Sequence, residues 1–518
     1  MPRFVWRPTG VATHLWGLGQ ARLRTWLLRE TYALPLDLFR CLAGLLCVAY
    51  FSALLLQAEE FSNPDGLLDH ALLQQIFWFT RLSLFHPGLT LPCLYGIFGL
   101  AWIGAWGIVL GYRVKLCAGL LFAIAVSTYR WNFPVIYVDD AFMHLLLFWL
   151  LLLPVGQTLR LWELRQGWRT CLARWQQITV PGTVLWCFLA NICLVYLVAG
   201  LWKLTSPLWQ QGFALYATLR LPIAYGQAFW GPQHLPLLQV ANYLALIVEP
   251  LIPLLLLWRP YHPVKWSGLL CQVGFHLGIL LTLRIPFVNL GLLGTGVLFF
   301  RTELFHWLQR DAAPPVRLRQ ASHLQWSGKL ALVFLLVLSL AVARRTPVLG
   351  LLYKPAYAVL WLIGIAQEYQ LFDWIDRKNY HVTYRVQTQS PEGTPQPLAA
   401  PDLFPTSLRA VLLQAYLHNV RWMPVPRQAR PALQHSILTR LAQRFCRTQA
   451  VATPVTAWAT VQRIRPNNLA LQQGRERFVM TFRCIDSRAV LCRTFLESVT
   501  ADHCTAPAAP SAERHLSD

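Results

Sequence analysis

Ionisable side chains inside the apolar runs of this 518-residue chain are the candidates for chemistry. Placing such a group at membrane depth is costly, so each one calls for a function or a partner. The set consists of Arg40, Asp139, Asp140, His144, Lys203, Glu249, His276 and Arg284.

Lys203 ends the apolar run Leu194–Leu204 and stands between Trp202 and Trp209. The small pair Ala199-Gly200 permits close packing by a neighbouring helix. If the two tryptophans exclude water, the amine loses its proton more readily and can act as a general base. A lysine at a helix end can equally extend its ammonium to the membrane interface. The spacing leaves both interpretations open.

Glu249 lies deeper, within Ala245–Pro250, and is the only acidic residue inside an apolar run of that length. An isolated carboxylate is strongly disfavoured there, so Glu249 must be protonated or paired. The candidate partners are Lys203, His276 and Arg284.

The remaining polar candidates have simpler interpretations. Arg40 opens the first apolar run and is expected to extend to the cytosolic interface, with support of the lysine site as the alternative. Asp139 and Asp140 are expected to cap a helix. His144 has no carboxylate or histidine three or four residues away, which favours a structural hydrogen bond over metal binding. No metal site is therefore predicted.

The composition indicates an integral membrane protein. Hydrophobic residues make up 55% of the chain and charged residues 13%, against about 25% charged in soluble domains. The net charge of +22 could suggest nucleic-acid binding, but the basic residues fall in short loops between apolar runs. This distribution favours membrane topology as the explanation, without a nucleic-acid partner.

Nine apolar stretches predict an all-α polytopic bundle of about nine spans, with several shorter than the roughly 20 residues that cross a bilayer unaided. The stretches are 36–57, 94–110, 116–129, 141–155, 184–201, 237–258, 266–283, 285–300 and 330–343. The predicted division is a cytosolic segment 1–35, a transmembrane domain 36–343, an interfacial helix and connector 344–371, and an extramembrane domain 372–504. A disordered tail 505–518 follows.

Loop charge predicts the orientation. The loops after the second, fourth, sixth and eighth stretches carry 13 basic residues, and the alternate loops carry 4, or 5 if Lys203 is included. By the positive-inside rule the N-terminus is cytosolic and the C-terminal domain is outside, as in a bacterial inner-membrane protein. The short apolar stretch Pro355–Ala366 is interpreted as interfacial; if it crossed the membrane, the C-terminal domain would return to the cytosol.

The C-terminal domain is predicted to be small and of α+β type, with a strand over His381–Val386. Four cysteines of this region can form up to two disulfides, in three possible connectivities, if the domain lies outside the cytosol. They are Cys446, Cys484, Cys492 and Cys504. The other eight cysteines are interpreted as small hydrophobic residues.

Several of these residues occur in strings that resemble a known family. The strings are Tyr196–Leu204 with Trp209 and Gly212, Glu249-Pro250, Phe275-His276 and Ile285-Pro286-Phe287, with Leu38-Phe39-Arg40 and Leu153–Gly156 in support. Together they resemble the horizontally transferred transmembrane (HTTM) domain of vitamin K-dependent gamma-carboxylases and their bacterial relatives. The resemblance covers roughly residues 30 to 300.

The resemblance implies that Lys203 corresponds to the family's catalytic lysine, which removes a proton from reduced vitamin K, a quinol. Oxygen and carbon dioxide are the implied co-reactants, and an exported peptide or protein is the implied substrate. The carboxylases also use an Asn-His pair, whereas the comparable stretch here reads Asn132-Phe133. Their lumenal region is larger than residues 372–504.

Two functions are therefore predicted as alternatives. One is a carboxylase-like membrane enzyme in which Lys203 acts as a base on a quinol or similar lipid-soluble acid, with Trp202, Trp209, Glu249, His276, Arg40 and His144 in supporting positions. The other is a non-catalytic scaffold or chaperone for the maturation of a secreted peptide. A transporter is less favoured, because the two halves contain no matching pair of broken helices.

Overall fold

The computed structural model describes most of the chain from residue 30 onwards. The described residues are 30–308, 316–317, 322–342, 350–366, 372, 375, 379–390, 393–418, 425–449, 451, 453–463 and 476–496. Most of the predicted cytosolic segment 1–35, the predicted tail 505–518 and Cys504 lie outside these residues.

Each of the nine apolar stretches forms a helix. Proline occupies the first turn of several of them, where its fixed φ favours a helix and its missing N–H costs no hydrogen bond. The helices are α1 (Ala33–Leu56), α2 (Leu91–Leu110), α3 (Val114–Trp131), α4 (Val138–Leu152), α5 (Thr183–Lys203), α6 (Leu235–Leu256), α7 (Pro263–Thr282), α8 (Pro286–Phe299) and α9 (Ser322–Val342).

Six of these helices are long and apolar enough to cross a membrane, counting only the described part of the chain. They are α1, α2, α3, α5, α6 and α7. A seventh span results if α8 is joined to Arg301–Trp307, which follows it at a bend of 65°. Helix α4 has 15 residues and is about 22 Å long at 1.5 Å per residue, short of a hydrocarbon core of about 30 Å. The structure therefore confirms a mostly helical chain with several membrane-length helices. It does not confirm the predicted number of nine spans.

The helices pack around one continuous apolar core. Helix α1 contacts α2 and α8, while α5 packs between α6 and α9. Only 22% of the apolar window of α6, and the same share of α7, is buried. These two helices therefore present long apolar faces outward, as expected of surfaces that contact lipid.

Arg40 is completely buried, so the expectation that it extends to the interface is wrong. Its Nε donates to the Asp37 carboxylate at 2.9 Å, and its Nη atoms donate to the carbonyls of Val109 (2.8 Å) and Leu159 (2.9 Å). Asp37 in turn accepts from the backbone N–H and hydroxyl of Thr158. The carbonyl partners are distant in sequence, but Asp37 lies only three residues before Arg40, so the spacing did contain a signal for this buried ion pair. It joins three segments at one end of the bundle.

Short elements connect the long helices. They include the helices His70–Ile76, Trp168–Trp175, Pro207–Gln210, Ala214–Leu219 and Arg301–Leu308. Strands β1 (Glu30–Tyr32), β2 (Ile178–Pro181) and β3 (Val316–Arg317) form a small sheet in that order. This sheet lies beside the buried Arg40 pair, because β1 leads directly into α1. Helix α10 (Gly350–Leu362) packs on α9 and contains the start of the stretch predicted to be interfacial.

The C-terminal region contains a five-stranded antiparallel sheet with helices, which confirms the small α+β region. Strand β4 includes the predicted strand His381–Val386. The strands are β4 (His381–Gln389), β5 (Pro395–Leu398), β6 (Val455–Gln462), β7 (Glu476–Ile485) and β8 (Arg488–Thr494), in the order β5-β4-β6-β7-β8. The helices are Ala400–Leu403, α11 (Leu408–Gln414) and α12 (Arg430–Thr448). Cys446 of α12 and Cys484 of β7 form a disulfide, and Cys492 is also disulfide-bonded.

The C-terminal domain docks onto the bundle end opposite to the buried Arg40 pair. The Arg409 guanidinium donates to the Asp140 carboxylate at 2.6 Å, to the Gln57 side chain at 3.1 Å and to the Val135 carbonyl at 3.3 Å. The Tyr50 hydroxyl donates to the same Asp140 oxygen at 2.8 Å. This end carries the loops with few basic residues.

Candidate functional site

Lys203 and Glu249 form a buried ion pair between α5 and α6. The side chain of each is 4% exposed. A Cβ on Gly200 would lie 2.9 Å from the ring of Pro250, so the missing side chain is what allows the two helices to approach so closely. Gly200 lies three residues before Lys203, and Pro250 directly follows Glu249. The close approach of the helices therefore brings the ammonium to the carboxylate. Of the three candidate partners predicted for Glu249, the structure selects Lys203.

Trp209 lies against the ammonium of this pair. The Lys203 ammonium lies 5.5 Å from the centre of the Trp209 ring, within the range of a cation–π contact. Trp202 is 8% exposed and Trp209 is 3% exposed. The Trp209 indole N–H donates to the carbonyl of Phe372 at 2.8 Å. This bond fixes Trp209 against the segment that leads into the C-terminal domain.

A chain of hydrogen bonds lies beside the ion pair. His276 Nδ1 is 2.7 Å from Asn289 Oδ1, and the amide of Asn289 donates to the Ile285 carbonyl at 2.6 Å. The amide is thereby oriented so that its oxygen faces the ring, and His276 must carry its proton on Nδ1. His276 Nε2 then accepts from the Tyr196 hydroxyl at 2.6 Å. Gln272 donates to the same Tyr196 oxygen at 3.2 Å.

These groups line one cavity, named here the Lys203 cavity. Its volume is about 40 Å³. Its polar lining consists of Lys203, Glu249, Tyr196, His276 and Asn289, and Phe372 and other apolar side chains form the rest. Such a volume has space for a few water molecules but not for a quinol ring, because binding sites for organic ligands measure about 300–1,000 Å³. The donor set suits proton transfer, and a quinol requires the walls to move apart.

A second buried lysine–glutamate pair provides an internal comparison. Lys265 donates to Glu303 at 2.7 Å, and the two side chains are 5% and 6% exposed. Glu303 also accepts from the backbone N–H of Tyr261, so this pair fixes a loop. The Lys265 pair is not part of the Lys203 cavity lining. Burial of an ion pair is thus not by itself a sign of function in this chain, and it is the adjoining cavity that distinguishes Lys203.

The other predicted residues lie away from the cavity. Arg40 belongs to the opposite end of the bundle, so its alternative role in the lysine site is wrong. His144 is completely buried and makes a 2.9 Å hydrogen bond with the Gly364 carbonyl, in agreement with a structural role. Asn132 donates to the Ser62 hydroxyl at 3.0 Å and does not line the cavity.

The paired aspartates do more than cap one helix. Asp140 accepts from the backbone N–H of Tyr137 at 3.1 Å, which is the predicted cap of α4, and also binds Arg409. Asp139 accepts from the N–H of Val288 at 2.8 Å and so stabilises the first turn of α8. Together they attach α4 to α8 and to the C-terminal domain.

Sequence reasoning missed Tyr196, Gln272 and Asn289. A signal existed for two of them, because Gln272 and Asn289 are amides inside apolar runs, where an unpaired polar group is costly. Gln272 also precedes His276 by four residues and therefore shares its helix face. Tyr196 gave no signal, because a tyrosine in an apolar helix is ordinarily a core residue.

The described residues contain no group of three or more His, Cys, Asp or Glu side chains arranged to hold a metal ion. The fold and site define a mostly helical protein with membrane-length helices, a small C-terminal sheet domain and a buried Lys-Glu pair at the junction. Comparison of the chain with family models, curated proteins and solved structures gave no match. The HTTM resemblance stays a prediction from the sequence.

Proposed function

We propose that this chain is an integral membrane enzyme of the HTTM type whose Lys203–Glu249 pair transfers a proton to or from a lipid-soluble weak acid such as a quinol. The observation that carries the proposal is that this pair lines a cavity together with the Tyr196–His276 dyad. The comparable Lys265–Glu303 pair does not. The exported peptide substrate, and oxygen and carbon dioxide as co-reactants, are further parts of the proposal that rest on the resemblance.

The pair acts as one unit in this proposal. An ammonium–carboxylate pair and an amine–carboxylic acid pair contain the same number of protons, so the two side chains together hold one transferable proton beside the cavity. In the amine–carboxylic acid form the Lys203 amine can accept the proton of a bound weak acid, which leaves the ammonium beside the anion that forms. Trp209 covers the ammonium, and His276 fixes the orientation of the Tyr196 hydroxyl.

The test uses the purified full chain with a short-chain menaquinol as the probe. Binding is measured by quenching of tryptophan fluorescence, and oxidation of the quinol is followed under oxygen. We expect binding by the wild type, and loss of oxidation in Lys203→Arg and Lys203→Ala, because arginine offers no accessible neutral form. Lys265→Arg is the matched control and should retain oxidation. Oxidation at the wild-type rate by Lys203→Arg would refute the base role.

A non-catalytic scaffold is the second candidate, favoured by the small volume of the Lys203 cavity. It predicts that Lys203→Arg retains the biological function of the gene while menaquinol does not bind. In that case the ion pair serves only to hold α5 against α6.

We further propose that the C-terminal domain lies outside the cytosol, with the chain in a bacterial inner membrane. The domain docks at the end with few basic loops, and it contains the Cys446–Cys484 disulfide, a bond typical of oxidising compartments. A reporter enzyme that requires export should be active when fused at residue 510 and inactive when inserted at residue 166. The reverse pattern would overturn the orientation.

A further inference from the structure

A larger cavity lies between the bundle and the C-terminal domain. Its volume is about 280 Å³, close to the lower limit of sites that hold organic ligands. We name it the interface cavity. Its walls come from the loop before α6, from Arg284 between α7 and α8, from β4 and from α11 with the residues around it.

The polar lining of this cavity suits an anion. Arg284 is the only arginine or lysine in the lining, and no acidic residue is among the described residues that form it. His418 adds no charge near neutral pH, because burial and nearby arginines lower its pKa to about 4. A cavity with one fixed positive charge and no carboxylate favours a negatively charged ligand.

The Arg284 guanidinium has a free donor at this site. One Nη atom donates to the Thr406 carbonyl at 2.7 Å. Its Nε is buried and has no hydrogen-bond partner among the described residues. A buried N–H without an acceptor is costly, and the guanidinium edge formed by Nε and one Nη matches two oxygens of a carboxylate or phosphate.

The rest of the lining is aromatic and apolar. Tyr384 stacks on Phe404 with ring centres 3.8 Å apart, and its hydroxyl lies 2.7 Å from His418 Nε2. Val382 and Ala415 add apolar surface. A small inorganic anion would leave this surface unused, whereas an organic anion would cover it.

Exposed apolar side chains adjoin the cavity at the end of α7. Tyr225, whose ring lies 5.5 Å from the Arg284 guanidinium, is 46% exposed. Phe229, beside the lining residue Gly226, is 62% exposed, and Leu281 is 71% exposed. The backbone N–H of Tyr225 donates to the carbonyl of Thr282 at the end of the membrane-length helix α7, so these side chains offer a path for an acyl chain from the cavity to the lipid.

We propose that the interface cavity binds the anionic headgroup of a membrane amphiphile, with Arg284 contacting its carboxylate or phosphate and the tail leaving along Tyr225 and Phe229. The proposal does not depend on proton transfer at Lys203. A fatty acid and an acidic phospholipid share this chemistry.

The test uses the full chain in detergent, freed of bound lipid, with four probes. Oleate and dioleoylphosphatidylglycerol are the acidic amphiphiles, methyl oleate is the neutral control, and inorganic phosphate is the free anion. Affinity is measured by native mass spectrometry and by the shift in melting temperature. We expect saturable binding of oleate or of the phosphatidylglycerol, at least about tenfold tighter than the other two probes. Comparison of the two acidic probes identifies the carboxylate or the phosphate source.

Variants distinguish the contribution of the Arg284 charge from that of the cavity volume. Arg284→Gln should weaken binding by about tenfold or more. The affinity of Arg284→Lys should lie between those of Arg284→Gln and the wild type, because lysine retains the charge without the planar guanidinium. Ala415→Leu, which reduces the volume of the cavity and leaves Arg284 in place, should weaken binding by at least the same factor. Arg81→Gln, an exposed arginine in the loop between α1 and α2, is the matched control and should bind normally. Undiminished binding by Ala415→Leu, equal binding of methyl oleate, or binding of phosphate alone would each refute the proposal.

Discussion

Removal of the Glu249 carboxylate should destabilise the chain unless Lys203 is removed as well. In Glu249→Leu the ammonium stays in a site where the pair is only 4% exposed, without a counter-charge. Loss of one partner from such a buried pair costs about 3–5 kcal/mol. Glu249→Gln should cost less, because the amide oxygen still accepts a hydrogen bond from the ammonium.

The double variant Lys203→Met with Glu249→Leu provides the decisive comparison. Both charges are gone and the volumes are similar, so the free energy of unfolding should return to within about 1–2 kcal/mol of the wild-type value. The assay is equilibrium unfolding in mixed micelles of dodecylmaltoside and sodium dodecyl sulfate, followed by tryptophan fluorescence. Glu303→Leu, which breaks the second buried pair, serves as a comparator with a similar expected loss. Two results would contradict the pairing. One is a Glu249→Leu variant as stable as the wild type, and the other is a double variant whose loss of stability equals the sum of the losses in the two single variants.

Three further outcomes are expected. Gly200→Ala should lower stability by about 1–3 kcal/mol in the same assay, since its methyl group would lie 2.9 Å from the facing proline, whereas Gly274→Ala, which has no atom within 4 Å of the added carbon, should be neutral. Replacement of Cys446 and Cys484 by alanine should lower the free energy of unfolding by about 2–4 kcal/mol, measured by limited proteolysis. If the alanine variant is still less stable than the wild type in a reducing buffer, where neither protein has this bond, the loss does not come from the disulfide. The lowered pKa of His418, about 4, means that the unfolded chain takes up a proton below pH 6.5 which the folded chain does not, so stability should fall as the pH drops from about 6.5 to 4, by at most about 1.4 kcal/mol per unit. His418→Asn should flatten this profile, and an unchanged slope would exclude the histidine as its source.

The helices could be predicted because the signal for each is local. Long apolar runs with proline at the start determine where α6, α7 and α8 begin, and these starts fall within a few residues of the expected positions. The number of spans could not be predicted in the same way. Whether the 15-residue α4 crosses a membrane depends on its neighbours, which its own sequence does not specify.

The site was predicted in part. The types and spacing of Lys203 and Glu249 identified both residues, but three partners for the carboxylate were equally compatible with the sequence. The choice depends on the Gly200–Pro250 contact, which is a property of the packed helices. Arg40 shows the opposite case. Its ion-pair partner Asp37 is three residues away, but the carbonyls of Val109 and Leu159, which complete its burial, lie about 70 and 120 residues away along the chain. Local pattern alone therefore suggested an exposed position.

Phe372 gives the C-terminal domain a role in the access of water to the membrane helices. Phe372 lines the Lys203 cavity and its carbonyl accepts a hydrogen bond from Trp209, although the residue belongs to the segment that leads into the domain. Tyr380 and Leu412 of the domain also share the main core with the helices. A protease cut before residue 372 would thus remove part of the seal over Lys203 and leave a hydrated lysine at the end of α5. Helices and domain should accordingly melt in one cooperative transition. In a chain without the domain, water should reach the Lys203 site.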